Sequence, residues 1–344
     1  MPSLSLHSRV VAVATSLLLG AALSACGGAG GAATNADGDT VIRYQSYVGM
    51  LNVMELADAL GYLDEADIEL DRVGDVQGGP EGLRALTTDQ VDVAGAFQGA
   101  IAKVVSTGAP ITAVLAYYGS HDDVNFSFVV RQGDDIEGPR DLIGKKVAVN
   151  TLGANAEAVL DTYLAEGGLT EKEIAQVTLV PLPGTVSEAS LRKKQVDAAF
   201  MSGSARDYAL QRPGLDVLFS DVEVVGPYNG GGLALHDRFI QENPGAVGDL
   251  VGALAKAVVW SQDHSVEEVR DLIGDYLEED GRGDQKEALG LWRGTGVSTE
   301  GGVLRDEDFS LWLDWLVAAG EIKKGSVEVD DIYTNEFNPY AKEK

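Results

Sequence analysis

Residue types that commonly carry catalysis are scarce in this chain of 344 residues. It has one cysteine, Cys26, and four histidines, His7, His121, His236 and His264. No two histidines stand at metal-ligand spacing, and neither His-Glu-x-x-His nor Gly-x-Ser-x-Gly occurs. What the residues offer instead is one alkylatable thiol near the N-terminus and several short segments rich in amides, hydroxyls, glycines and aromatic rings. These segments hold Gln45, Ser46 and Tyr47, then Gln77, Gly78 and Gly79, then Phe97 and Gln98, then Tyr117 and Tyr118. Further on come Thr151, Gly153, Ala154 and Asn155, then Ser202 and Gly203, then Tyr228. They are the candidate ligand contacts; no catalytic residue, metal or cofactor is expected. Glycines let backbone N–H groups at helix starts approach a ligand, and a helix start supplies about half a positive charge. The rings suit an organic body. On a strand Tyr117 and Tyr118 face opposite ways, so at most one reaches a shared site. Phe97 reads equally as core, Ser202 as a helix cap, and Arg206 is the nearest cationic candidate.

The thiol has a distinctive setting. Val10 to Ala22 is an apolar run of about 13 residues, short of the roughly 20 that span a bilayer, and a basic start with His7 and Arg9 precedes it. Leu23-Ser24-Ala25-Cys26 follows and resembles the bacterial lipobox. There the cysteine is acylated and becomes the first mature residue. Residues 1–25 are thus expected to be a lipoprotein signal peptide, with Cys26 the lipidation site and membrane anchor, palmitate included. Residues 26–40 are poor in large apolar side chains and are expected to form a flexible tether.

The chain has 26 basic against 54 acidic residues. Removing Arg9 with the leader leaves 25 against 54, a formal charge of −29. That argues against nucleic-acid binding. About 300 mature residues suffice for two sizeable cores.

Elements that could position the polar segments alternate in βα fashion. Strands are expected at 41–46, 68–73, 91–97 and 111–118, then at 126–131, 146–150, 177–181, 196–201 and 215–219, with a last one at 232–236. Helices are expected between them at 51–60, 81–87, 100–106, 155–166 and 187–194. Thereafter Val247, Leu250, Val251, Leu254 and Val258 mark one apolar helix face. In such sheets ligands sit beyond the carboxyl ends of strands, where the polar segments fall.

Two phrases resemble each other, Leu83 to Ala94 (LRALTTDQVDVA) and Leu191 to Ala199 (LRKKQVDAA). With Asp135 to Gly153 (DIEGPRDLIGKKVAVNTLG), Gly61-Tyr62-Leu63, Glu242-Asn243-Pro244 and Tyr333 to Phe337, they are similar to the solute-binding proteins of ABC importers for nitrate, sulfonate, taurine and bicarbonate. That group is related in turn to binding proteins for thiamine and riboflavin precursors. The resemblance implies an α/β, type II periplasmic-binding fold. Two lobes with mixed, mainly parallel sheets flanked by helices, joined by two crossover strands, would close on a ligand in the cleft between them. Lobe 1 would take residues 41–120 and 226–344, lobe 2 residues 121–225. The implied role is capture of a small organic anion, sulfonate-, nitrate- or taurine-like, and its delivery to ABC permease transmembrane subunits. The protein would be a monomer lipid-anchored at the extracytoplasmic face of the cell membrane. A heterocyclic vitamin precursor or aromatic compound is the alternative ligand, and a lipid-anchored hydrolase the remote alternative.

Overall fold

The computed structural model describes residues 32–47 and 51–342, so Cys26 and the signal peptide lie outside the described residues. Alternation sets the first long strand. In β2 (Thr40–Ser46) Ile42, Tyr44 and Ser46 are buried, while Arg43 and Gln45 face the other way. Its neighbours are β1 (Ala33–Thr34), antiparallel, and β3 (Ile68–Asp75), parallel. β1 lies in the stretch expected to be a tether. The Asn35 carboxamide oxygen accepts from the N–H groups of Asp37, Gly38 and Asp39, each at 2.9 Å, and folds that stretch back onto β2.

A second sheet contains β4 (Val93–Phe97), β11 (Tyr228–His236) and β5 (Ile111–Ser120), in that order. Asp92 N–H donates to Arg43 C=O at 2.9 Å and joins it to β2. The third sheet uses only residues 127–220, in the order β10 (Leu215–Ser220), β6 (Ser127–Arg131), β9 (Ala198–Met201), β7 (Lys146–Val149), β8 (Thr178–Pro181). The chain passes into it through residues 121–126 and out through 221–227, two crossings consistent with two lobes.

The sheets are mixed, but less parallel than expected. Of eight pairings among the described residues, only β2–β3, β7–β8 and β7–β9 are parallel. The crossings cause this, because β11 returns from the third sheet and inserts antiparallel between β4 and β5.

Helices start directly behind most strands: α1 (Val53–Ala59), α2 (Gly79–Thr87), α3 (Gln98–Ser106), α4 (Asn155–Glu166), α6 (Gly184–Arg192) and α7 (Gly203–Gln211). Two short ones, α5 (Glu171–Ile174) and α8 (Asp221–Val225), lie elsewhere in residues 127–227. After β11 the chain is mainly helical: α9 (Asp237–Glu242), α10 (Pro244–Asp263), α11 (Val266–Glu279) and α12 (Glu307–Ala318). The apolar face of α10 is buried as its spacing requires. The third sheet has a core on both faces. Phe128, Val130, Val147 and Val149 join the main core, whereas Val129, Ala148, Ala199 and Leu215 form a separate cluster with Leu191 and Ala209. Among the described residues no helix is long and apolar enough to cross a membrane.

Candidate functional site

The end of β2, the start of α1 and the faces of β4, β5 and β11 converge on one cavity. Tyr44, Gln45, Tyr47, Leu51, Asn52, Met54, Val93, Gly95, Tyr117 and Leu233 line it. About 20 Å³ is open to water centres, room for about one water. An organic ligand there requires the rings to move apart. Tyr47 donates its hydroxyl to Gly95 C=O at 2.8 Å, and a Cβ on Gly95 would stand 2.7 Å from the Tyr117 hydroxyl oxygen. Only glycine lets both rings seat there. Burial pushes the Tyr47 and Tyr117 hydroxyls well above the ordinary tyrosine range, so both stay protonated. The Gln45 side-chain oxygen is buried without a partner. A buried acceptor left open is unusual and marks a place for a ligand or water donor.

Behind Tyr44 stands a buried ion-pair cluster. Glu55 Oε1 accepts from Tyr44 Oη at 3.0 Å, Ser46 Oγ at 2.9 Å and Arg282 Nη1 at 3.0 Å. Arg282 also pairs with Asp280. Ser46 is therefore committed to Glu55 rather than turned to the cavity.

The other expected residues fall into three groups. Gly78 meets Thr151 across the lobes, since a Cβ on Gly78 would lie 2.8 Å from Thr151 Cγ2. Glu81 and Glu157 stand in the first turns of the two helices at this contact. Their carboxylates accept from Gln77 N–H at 3.1 Å and Gly153 N–H at 2.7 Å. Gln77 is otherwise exposed, and Ala154 is the buried residue before α4.

A second group ties the crossings together. Asn155 Nδ2 donates to Tyr228 Oη at 2.8 Å, and Tyr228 donates to Asp221 Oδ2 at 3.0 Å. Ser120 Oγ donates to the same oxygen at 2.6 Å, and Phe126 N–H to Asp221 Oδ1 at 3.0 Å. Burial pushes the Asp221 carboxyl up against these bonds. Tyr118 joins this region through its edge contact with Phe126, at 6.0 Å between ring centroids, and its ring also meets that of Tyr117 edge-on at 4.9 Å.

The third group stays out of the cavity. Phe97 is core, edge-on to Trp312 at 4.8 Å. Gly79 packs on Ala96. Gln98 is fully buried with both amide atoms unpartnered. A Cβ on Gly232 would lie 2.8 Å from its oxygen, whereas the next residue, Leu233, lines the cavity. Adjacent strand residues face opposite ways, so Gln98 is across the sheet. Ser202 and Gly203 precede and open α7, where the buried Ser204 hydroxyl has no partner. Arg206 is no free cation: it donates to Asn125 C=O at 2.9 Å and pairs with Asp207 at 2.8 Å, to which Arg293 also binds. Asn52, Gly95, Glu55, Arg282 and Asp221 had no sequence signal as site residues. For Asp221 the Ser220-x-x-Glu223 capping box was the only local mark. Among the described residues no cluster of His, Cys, Asp or Glu could hold a metal ion.

Known structures share this fold. The alkanesulfonate-binding protein SsuA from Xanthomonas axonopodis pv. citri bound to MOPS is 18% identical, with a TM-score of 0.65 over 88% of this chain and 99% of that one. The periplasmic nitrate-binding protein NrtA from Synechocystis PCC 6803 is 12% identical, with a TM-score of 0.66 over 87% of each chain. The desulfurization enzyme DszB also matches, at 19% identity and a TM-score of 0.58, over 86% and 97%. No curated protein matches the sequence significantly. The family model described as NMT1/THI5 like matches residues 53–268, which span the cavity's α1, both crossings and the whole third sheet. Over that length, more than half of the sequence, the chain belongs to the NMT1/THI5-like family.

Proposed function

We propose that this protein is the extracytoplasmic solute-binding component of an ABC importer, capturing a small organic solute by lobe closure and delivering it to a permease. The observation that carries this reading is the opposition of Gly78 and Thr151 across the lobes, beside a cavity at the strand ends that holds an open buried acceptor, Gln45. Division into lobe 1 (41–120 and 226–344) and lobe 2 (121–225) follows the sheets, and the chain acts as a monomer. Lipidation at Cys26 would hold it at the membrane, so Cys26→Ser should release it from membranes with ligand affinity unchanged.

Two ligand classes have support. A sulfonate- or nitrate-like anion is favoured by two structural relatives, an alkanesulfonate-binding and a nitrate-binding protein. An aromatic or heterocyclic compound is favoured by the Tyr44, Tyr47 and Tyr117 rings in the cavity. A thermal-shift panel of nitrate, taurine, alkanesulfonates, aromatic carboxylates and pyrimidines tests the receptor reading. At least one saturable shift without turnover is expected; turnover of a panel member would defeat it.

A further inference from the structure

We infer that the ligand of this cleft presents a cationic, N–H-donating head, an organic amine or ammonium, rather than an oxoanion. The inference rests on the receptor reading and concerns the charge of what is captured.

An oxoanion at helix starts needs open N–H groups and no rival carboxylate nearby. At the two starts that meet across the cleft the second condition fails, because Glu81 stands in the first turn of α2 and Glu157 in that of α4. Each carboxylate folds back on the N–H one residue ahead of the N-cap, Glu81 on Gln77 and Glu157 on Gly153, and so stays at the cleft. An incoming anion would meet two carboxylates. Compensating cations are committed elsewhere. Arg206 is held by Asn125 and Asp207, and Arg282 is shared between Glu55 and Asp280. Among the described residues the guanidinium groups of Arg72, Arg131, Arg282 and Arg305 each keep one buried N–H without a partner, and of these Arg282 stands next to the cavity, behind Tyr44. None of the described residues lining the cavity is cationic, and residues 48–50 between Tyr47 and Leu51 are Val, Gly and Met.

The groups that are open suit a cation. Three tyrosine rings line the cavity, and ring faces attract ammonium groups. Gln45 offers a buried oxygen with no donor. Glu81 is close enough to add to the upward push on the Tyr47 hydroxyl, so its charge is felt at the cavity. The mature charge of −29 draws cations toward the cleft at long range.

The test compares heads on one body. Calorimetry on the purified mature protein would use 2-phenylethylamine, phenyltrimethylammonium, 2-phenylethanol and 2-phenylethanesulfonate, with nitrate and taurine alongside. The amine and ammonium should bind at least about tenfold more tightly than the sulfonate, and less tightly as salt rises. Glu81→Gln, which keeps a hydrogen-bonding side chain but removes the charge, should weaken the amine about threefold to tenfold. Gln45→Leu should weaken it by about tenfold, with the circular dichroism unchanged. Tighter binding of the sulfonate or nitrate, abolished by Arg282→Gln, would overturn the amine class and leave the receptor reading intact. Amine binding indifferent to both substitutions would also overturn it. If no member binds, the amine class falls. Native mass spectrometry for a small molecule carried from the producing cell then judges the receptor reading separately.

Discussion

Two groups of helix starts in this protein contrast. α5, α8 and α11 each open with a full capping box, Thr170 with Glu173, Ser220 with Glu223 and Ser265 with Glu268. Behind the ends of β3, β4, β7, β8 and β9, the residues before α2, α3, α4, α6 and α7 are Gly78, Phe97, Ala154, Pro183 and Ser202, none with a side-chain cap bond. A cap contributes about 1 kcal/mol. None of the five first turns has a side-chain bond from its N-cap, and two of these starts, those of α2 and α4, meet across the lobes where Gly78 opposes Thr151. α10 and α12 are also without a side-chain cap, whereas His236 caps α9 by accepting from Arg238 N–H. Beside the cavity α1 is the exception, since Asn52 accepts from Met54 N–H at 2.9 Å and Glu55 in its first turn is buried.

That exception gives the largest expected effect. Arg282→Met strips Glu55 of its cation in a cluster where both side chains are at most a tenth exposed. Breaking such a pair costs about 3–5 kcal/mol, and the double variant Glu55→Leu/Arg282→Met should recover much of it. Urea unfolding measures both. Lost ligand affinity at unchanged stability would instead put α1 with the uncapped starts.

α4 links the two kinds of region, uncapped at the cleft but tied at mid-helix to α12. There Trp315 Nε1–H donates to Asp161 Oδ2 at 3.2 Å. Burial, opposed by that bond and aided by Glu157, pushes the Asp161 carboxyl up to about 6. A carboxyl raised on folding binds its proton more tightly in the native state. Its contribution is therefore full below about pH 4 and is lost as pH rises through about 6. The whole swing is about 2–3 kcal/mol. Asp161→Asn should be flatter between pH 4.5 and about 7.5, and more stable than the parent at the upper end. Parallel pH profiles of the two proteins in urea would show no difference if Asp161 is solvated.

Much of this organisation was legible in the sequence, because alternation and short βα spacing are local signals. The strand-end rule picked out Gln45, Tyr47 and Tyr117, which line the cavity, and Gly78 and Thr151, which meet across the lobes. It misdirected Ser46 and Gln98, since which face a strand-end side chain takes depends on what packs there. Ser46 turns to Glu55, and Gln98 lies against Gly232. Arg282 reaches Glu55 over a separation of 227 residues, with no motif to announce it. β11 begins at Tyr228, earlier than its glycine run suggested, because the Tyr118 ring fills the space that side chains at Gly230 and Gly231 would need. Pairing direction was also illegible, as it follows from where β11 re-enters.

The smallest effect is the most direct measure of the comparison. Thr170 accepts from Glu173 N–H, and Glu173 returns the bond to Thr170 N–H at 2.8 Å. The hydrogen bonds to Thr170 hold the Glu173 carboxyl below its ordinary range. Thr170→Ala should therefore cost about 1 kcal/mol, read as a fall in urea midpoint, and leave ligand affinity untouched. Ser202→Ala removes a hydroxyl of the same kind that makes no cap bond at α7. Its stability should change by less than about 0.5 kcal/mol. Equal losses in the two variants would show that Ser202 caps α7 in solution after all, and the contrast between cleft and periphery would fail at that helix. A change in ligand affinity confined to Ser202→Ala would instead show that its hydroxyl serves the ligand rather than the helix.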